Sequence, residues 1–132
     1  MNKVEHIGIA VNSLADASTI YTKLLGTPPY KTELVESEQV TTQFFKIGDN
    51  KIELLESSDP NSPIAKFIAK RGEGIHHLAF HVTDIKQEMN RLREEGFILI
   101  NDQPKRGADN KWVCFVHPKT TNGILIELCQ DI

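Results

Sequence analysis

The sequence predicts an α+β fold built from two tandem βαβββ modules whose sheets form one curved cup. Three observations predict it. The stretch Glu5-His6-Ile7-Gly8-Ile9-Ala10-Val11 recurs as His76-His77-Leu78-Ala79-Phe80-His81-Val82, with His6 on His77, Gly8 on Ala79 and Val11 on Val82. Ile52-Glu53-Leu54 recurs as Ile126-Glu127-Leu128. Each first strand runs into a helix start, at Asn12-Ser13 and at Thr83-Asp84.

The elements follow in order. Residues 3 to 11 alternate as a strand, and 13 to 25 carry helical periodicity through Leu14, Ala17, Ile20, Tyr21, Leu24 and Leu25, which predicts one buried face. Ser13 with Asp16, and Asp84 with Gln87, have capping-box spacing. Gly26 is placed to end the first helix. Strands are expected at about 30 to 36, 40 to 47 and 51 to 56, the last two joined by Gly48-Asp49-Asn50. Asp59 to Pro63 reads as a linker, and Ser62-Pro63 opens a short helix to Arg71. The second copy reads as strand 75 to 82, helix 84 to 95 closed by Gly96, and strand 97 to 101. An irregular loop 102 to 111 follows, then strands 112 to 117 and 123 to 129. The expected organisation is one domain, with module 1 over about 1–58, linker and short helix over 59–73, and module 2 over about 74–132.

At 132 residues the chain has the size of one compact domain or two fused small modules. A charged fraction of 25% and ordinary apolar content read as globular and soluble. The net charge of −3, with no long basic run, argues against nucleic acid as a partner. No apolar run reaches the length of a membrane span, and the N-terminus enters strand pattern with no signal-peptide pattern. Cys114 and Cys129 have no metal-ligand spacing, suit a reducing cytoplasm and read as packing residues.

Strand alternation puts His77, Ala79 and His81 on one face and His76, Leu78, Phe80 and Val82 on the other. A lone histidine on a strand is most often a core or surface residue. Here, though, the His–small-residue pattern occurs twice. Glu53 and Glu127 each interrupt an apolar strand, and a buried carboxylate is costly unless it is paired, hydrogen-bonded or bound to a cation. Two edge glutamates facing water would be the bland alternative. The repeat favours a shared site of His6, Glu53, His77 and Glu127 around one divalent ion. Nitrogen and oxygen donors suit Zn, Co, Ni, Fe or Mn, and the missing thiolates argue against a closed Cys-type structural zinc. His76 reads as structural, His81 as a pocket-lining residue that does not ligate, and Trp112 and Phe115 as core.

These residues resemble the vicinal oxygen chelate superfamily, which includes glyoxalases, bleomycin-resistance proteins and extradiol dioxygenases. The resemblance covers nearly the whole chain and is strongest to the methylmalonyl-CoA epimerase family. It is carried by Glu5 to Val11, Ser62 to Phe67, Gly74-Ile75-His76-His77, His117-Pro118-Lys119 and Gly123 to Leu128. It implies His6, His77 and Glu127 as metal ligands, with Glu53 at a position that holds Gln in some members. It also implies an acyl-CoA substrate and epimerisation by 1,1-proton transfer through an enolate. Glu127 is the first candidate base. Some members use a further glutamate on the strand corresponding to Val40–Phe45, which here has no carboxylate, so Glu53 or a metal-bound water is expected to serve. The metal expected is Co, Zn, Ni or Mn. Lys119, in a loop that otherwise reads as solvated, is expected to contact coenzyme A phosphates. A homodimer is one assembly the resemblance admits. Two alternatives are a glyoxalase I-like lyase and a drug-binding protein of the same fold. The sequence His117-Pro118-Lys119-Thr120 stands where glyoxalases usually have Asp-Pro-Asp-Gly, and the drug-binding proteins lack the metal set.

Overall fold

The computed structural model describes residues 1–132 and divides them into two compact units, His6–His76 and Met1–Glu5 with His77–Ile132. The elements of the first module are β1 (Lys3–Ala10), α1 (Leu14–Leu25), β2 (Lys31–Val35), β3 (Val40–Ile47) and β4 (Asn50–Ser57), followed by the linker helix α2 (Pro63–Arg71). Those of the second are β5 (Gly74–His81), α3 (Ile85–Glu94), β6 (Lys105–Gly107), β7 (Lys111–Val116) and β8 (Ile126–Asp131). The expected α+β class and the βαβββ order therefore hold in both. Short 3-10 turns at Glu36–Glu38 and Pro118–Thr120 add to the expected elements.

The first module orders its strands β2-β3-β4-β1, with β1 parallel to β4 and the other pairs antiparallel. Helix α1 is capped by Ser13, whose hydroxyl accepts from the Asp16 backbone N–H at 3.2 Å. It ends at Gly26, whose φ of 69° suits a residue without a Cβ. Ala17 packs with Val11, Phe45 and Leu54, joined by Leu14, Tyr21, Leu25, Ile9 and Ile52. Ile20 and Leu24, expected on that buried face, are 61% and 71% exposed. The stripe 14-17-21-25 already fills the contact with the sheet, and the adjacent positions 20 and 24 turn outward. On the other sheet face, Ile64 of α2 packs with Ala10, Val40 and Leu55.

The second module orders its strands β5-β8-β7-β6, again with a parallel first pair. Asp84 caps α3 by accepting from the Gln87 N–H at 3.1 Å. Ile85, Met89 and Leu92 pack on Val82, Cys114, Val116 and Leu128. The expected strand 97 to 101 is a correction. Its strand pairing with β7 is a single isolated bridge, Leu99 to Val116, while the ladder proper lies at Lys105–Gly107, inside the stretch expected to be a loop. The cause is local. The Asn101 side chain accepts from the Phe115 N–H at 2.8 Å, in place of a backbone carbonyl. The expected strand start at 123 shifts to Ile126, because Asn122 and Gly123 hold φ of 56° and 86° and break extended geometry.

Burial pushes the Cys114 thiol above its ordinary value of 9.0, although the Asn101 backbone bond works against the shift. The unfolded thiol ionises near 9.0 and the folded one only at higher pH, so the folded state is favoured below that window and disfavoured as pH rises through it. Unfolding midpoints measured from neutral pH upward should therefore fall less steeply above pH 9.0 in Cys114→Ala than in the wild type. Parallel curves would show that the thiol carries none of the dependence.

Candidate functional site

The two parallel strand pairs share one register. Gly8 is aligned with Glu53 in β1–β4, and Ala79 is aligned with Glu127 in β5–β8. Each histidine lies two residues before the aligned small residue, so side-chain alternation puts it on the face of its glutamate. In the first module His6 Nε2 lies 3.4 Å from Glu53 Oε1. In the second, His77 Nε2 lies 3.3 Å from Glu127 Oε1. All four residues are buried, with exposures of 4%, 4%, 4% and 7% in the order His6, Glu53, His77, Glu127. Ile52 and Leu54 turn to the face under α1 instead, and Leu128 to the face under α3.

The spacing within each pair is informative. It exceeds the roughly 2.9–3.0 Å usual for an N–H···O hydrogen bond. Two donors bound to one ion at about 2.1 Å, with angles between octahedral and tetrahedral, would stand roughly 3.0–3.4 Å apart. Each imidazole–carboxylate pair thus has the bite of two ligands on a common cation. The donor set is nitrogen and oxygen, which fits borderline divalent ions.

The surroundings of the two glutamates differ. Cys129 is fully buried with Ala79 and Val113, as expected of a packing residue. Its Sγ also donates to Glu127 Oε2 at 2.9 Å, a role the sequence reading missed. The corresponding residue after Glu53 is Leu55, which belongs to the apolar cluster under α2. Phe115, expected in the core, instead stands edge-on to the His77 ring, with centroids 6.2 Å apart and planes at 89°. It faces His77 because it is aligned with Glu127 across β7–β8. Trp112 does pack against the core, with the Arg106 guanidinium 5.4 Å above its ring.

The remaining histidines are engaged elsewhere. His76 makes an edge contact with Phe67 at 4.9 Å, in keeping with a structural role. His81 shares a hydrogen bond with Asn2 at 3.0 Å and meets Asp131 at 3.2 Å. His117 Nδ1 accepts from the Lys119 backbone N–H at 3.1 Å, which leaves the Lys119 side chain on an exposed turn.

One further polar residue is buried on β3. Thr42 is 1% exposed, and its Oγ1 makes no hydrogen bond. Phe44 is aligned with Glu53 and Thr42 with Leu55, so Thr42 lies on the face of Glu53. The sequence signal was a polar residue alternating on one face with Val40 and Phe44.

Comparison with known proteins agrees with this architecture. The sequence profile of the Glyoxalase/Bleomycin resistance protein/Dioxygenase superfamily matches residues 5–115. The ethylmalonyl-CoA/methylmalonyl-CoA epimerase of Cereibacter sphaeroides is 39% identical over 132 residues, covering 98% of each chain. A solved methylmalonyl-CoA epimerase from Mycobacterium tuberculosis is 34% identical with a TM-score of 0.94, covering 98% of this chain and 88% of that one. A variant of the Streptomyces coelicolor methylmalonyl-CoA epimerase, solved with 2-nitronate-propionyl-CoA, is 32% identical with a TM-score of 0.96, covering 99% of this chain and 95% of that one. No helix of the structure is long and apolar enough to cross a membrane. With the paired βαβββ modules and their matching His–Glu registers, these similarities show that the chain belongs to the glyoxalase/bleomycin resistance protein/dioxygenase superfamily and, within it, to the methylmalonyl-CoA epimerase family.

Proposed function

We propose that this chain is a metal-dependent methylmalonyl-CoA epimerase. The observation that carries the reading is the pair of buried His–Glu couples, His6–Glu53 and His77–Glu127, at one register in two modules. These four side chains would together hold one divalent ion of the Co, Zn, Ni or Mn class. Bound there, the ion would supply Lewis-acid stabilisation of the developing enolate oxygen.

The rest of the chemistry falls to the protein. The reacting carbon lies between a thioester and a carboxylate, and inversion requires loss of its proton from one face and return to the other. Glu127 is the base on one face. Its Oε2 receives the Cys129 thiol and its Oε1 lies beside His77, so the carboxylate is held in one orientation. Phe115 stands edge-on beside His77. Glu53 serves the second face, since β3 carries no carboxylate. The exposed Lys119 would meet a coenzyme A phosphate as a point charge.

The metal ligands are tested separately from the chemistry. His6→Ala and His77→Ala should each lose bound divalent metal by elemental analysis of the purified protein. Full retention in both would exclude the site.

The reaction is tested with methylmalonyl-CoA in D₂O. An epimerase working through an enolate should place deuterium at the reacting carbon as it inverts it, and a parallel glyoxalase assay should show no turnover. Glu127→Gln should lower turnover on the order of a hundredfold or more, the scale of a lost acid–base group. Metal content must be measured in the same samples, because Glu127 is also a proposed ligand. A metal-loaded wild type that neither inverts nor exchanges would overturn the reading.

A further inference from the structure

We infer that Lys105 is a substrate-binding residue of this site, its ammonium taking the free carboxylate of the substrate and so selecting a carboxylated acyl-CoA over a plain one. The inference rests on the epimerase reading above.

The register puts Lys105 on the reaction face. Phe115 is aligned with Glu127 across β7–β8, and Val113 with Cys129. Lys105 is aligned in turn with Val113 across β6–β7. Paired residues, and residues two apart on one strand, share a face of the sheet. Lys105 therefore projects from the same face as Val113, Phe115 and Glu127. Its neighbour Arg106 alternates to the opposite face, where its guanidinium stands over Trp112. Gly107 sets how closely the strand under Lys105 approaches β7. A Cβ at Gly107 would come within 2.9 Å of Val113 Cγ1, so this position of β6 requires a residue without one.

The contacts carry the ammonium toward the His77–Glu127 couple. Lys105 Nζ stands 5.8 Å from the centre of the Phe115 ring. The same ring meets His77 edge-on, with centroids 6.2 Å apart. One aromatic ring thus spans the distance from the ammonium to the imidazole. A phenyl face attracts a cation but carries no net charge to cancel it. Lys111, a further lysine of this face, is bound to Asp131.

Charge decides which part of the substrate the lysine meets. Glu53 and Glu127 together match the charge of one divalent ion, so the proposed centre is neutral as a whole. The substrate carboxylate is bonded to the reacting carbon and must come in beside Glu127 with it. Among Phe115, Val113 and Cys129 an unpaired carboxylate would be poorly solvated, and a charge-assisted hydrogen bond from an ammonium removes that cost. The coenzyme A phosphates end a long pantetheine arm and do not follow the reacting carbon in. A lysine tip exchanges surface partners readily, because such pairs are weak.

The test uses metal-loaded full-length protein and two ligands compared by calorimetry. One is methylmalonyl-CoA; the other is propionyl-CoA, the same thioester without the carboxylate. Lys105→Met removes the charge at similar length, Lys105→Gln is a second uncharged variant should that one fail to fold, and Lys105→Arg keeps the charge. In the uncharged variant Kd and KM for methylmalonyl-CoA should rise by about tenfold or more, the scale of a lost hydrogen bond to a charged group. Kd for propionyl-CoA should stay at its wild-type value. Lys105→Arg should restore most of the difference between the two ligands. Metal content and melting temperature should match the wild type. An unchanged preference for methylmalonyl-CoA in the uncharged variant would overturn the inference. So would an equal loss for both ligands, which would place the lysine on the coenzyme A portion. A wild type that neither inverts methylmalonyl-CoA nor exchanges its α-hydrogen would instead overturn the epimerase reading, and this inference with it.

Discussion

Burying a carboxylate in the middle of an apolar strand is the constraint around which each module is arranged. Glu53 and Glu127 are both flanked by residues that belong in a core, and both are buried. A lone charge in such a place is unfavourable by several kcal/mol. Each module answers with an imidazole from the neighbouring parallel strand, placed by a register that is the same in both. That register requires β1 beside β4 and β5 beside β8, so the chain must cross from the first strand of a module to its last through a helix and two further strands. The βαβββ order follows from bringing those two strands together.

The same constraint divides each sheet into two faces with different tasks. The face under α1 or α3 is built from ordinary core residues such as Phe45, Leu54, Leu128 and Val116. The other face carries the polar groups and stays small beside the histidines, with Ala79 aligned to Glu127. An α-hydrogen made acidic by two carbonyl groups needs little beyond a positioned base and a stabilised oxygen, and a rigid sheet face can supply positioning without moving parts.

Much of this is legible in the sequence because strand alternation is strict. One residue of slippage would exchange the two faces, so a repeated His–x–small pattern and a repeated Ile-Glu-Leu identify both the modules and the buried pairs. Places where side chains replace backbone partners are harder to read. Asn101 takes a bond that a strand carbonyl would have taken, and Phe97 to Asn101 therefore looks like a strand without pairing as one. Ile20 and Leu24 fit helical periodicity but lie just outside the stripe that meets the sheet. Thr42 and Cys129 belong to no repeated motif that would single them out. Their significance comes from cross-strand register and burial.

The contrast between Cys129 and Leu55 bears on how a duplicated protein acquires division of labour. The two residues occupy equivalent positions, two after each glutamate, yet one presents a thiol to its carboxylate and the other only hydrocarbon. A tandem repeat begins with identical halves and gives identical carboxylates. A difference at this one neighbouring position gives the Glu127 carboxylate a thiol contact, without altering either histidine or either glutamate. Equivalent His–Glu pairs can thus stand in both modules while the residues packed beside their carboxylates differ in chemistry.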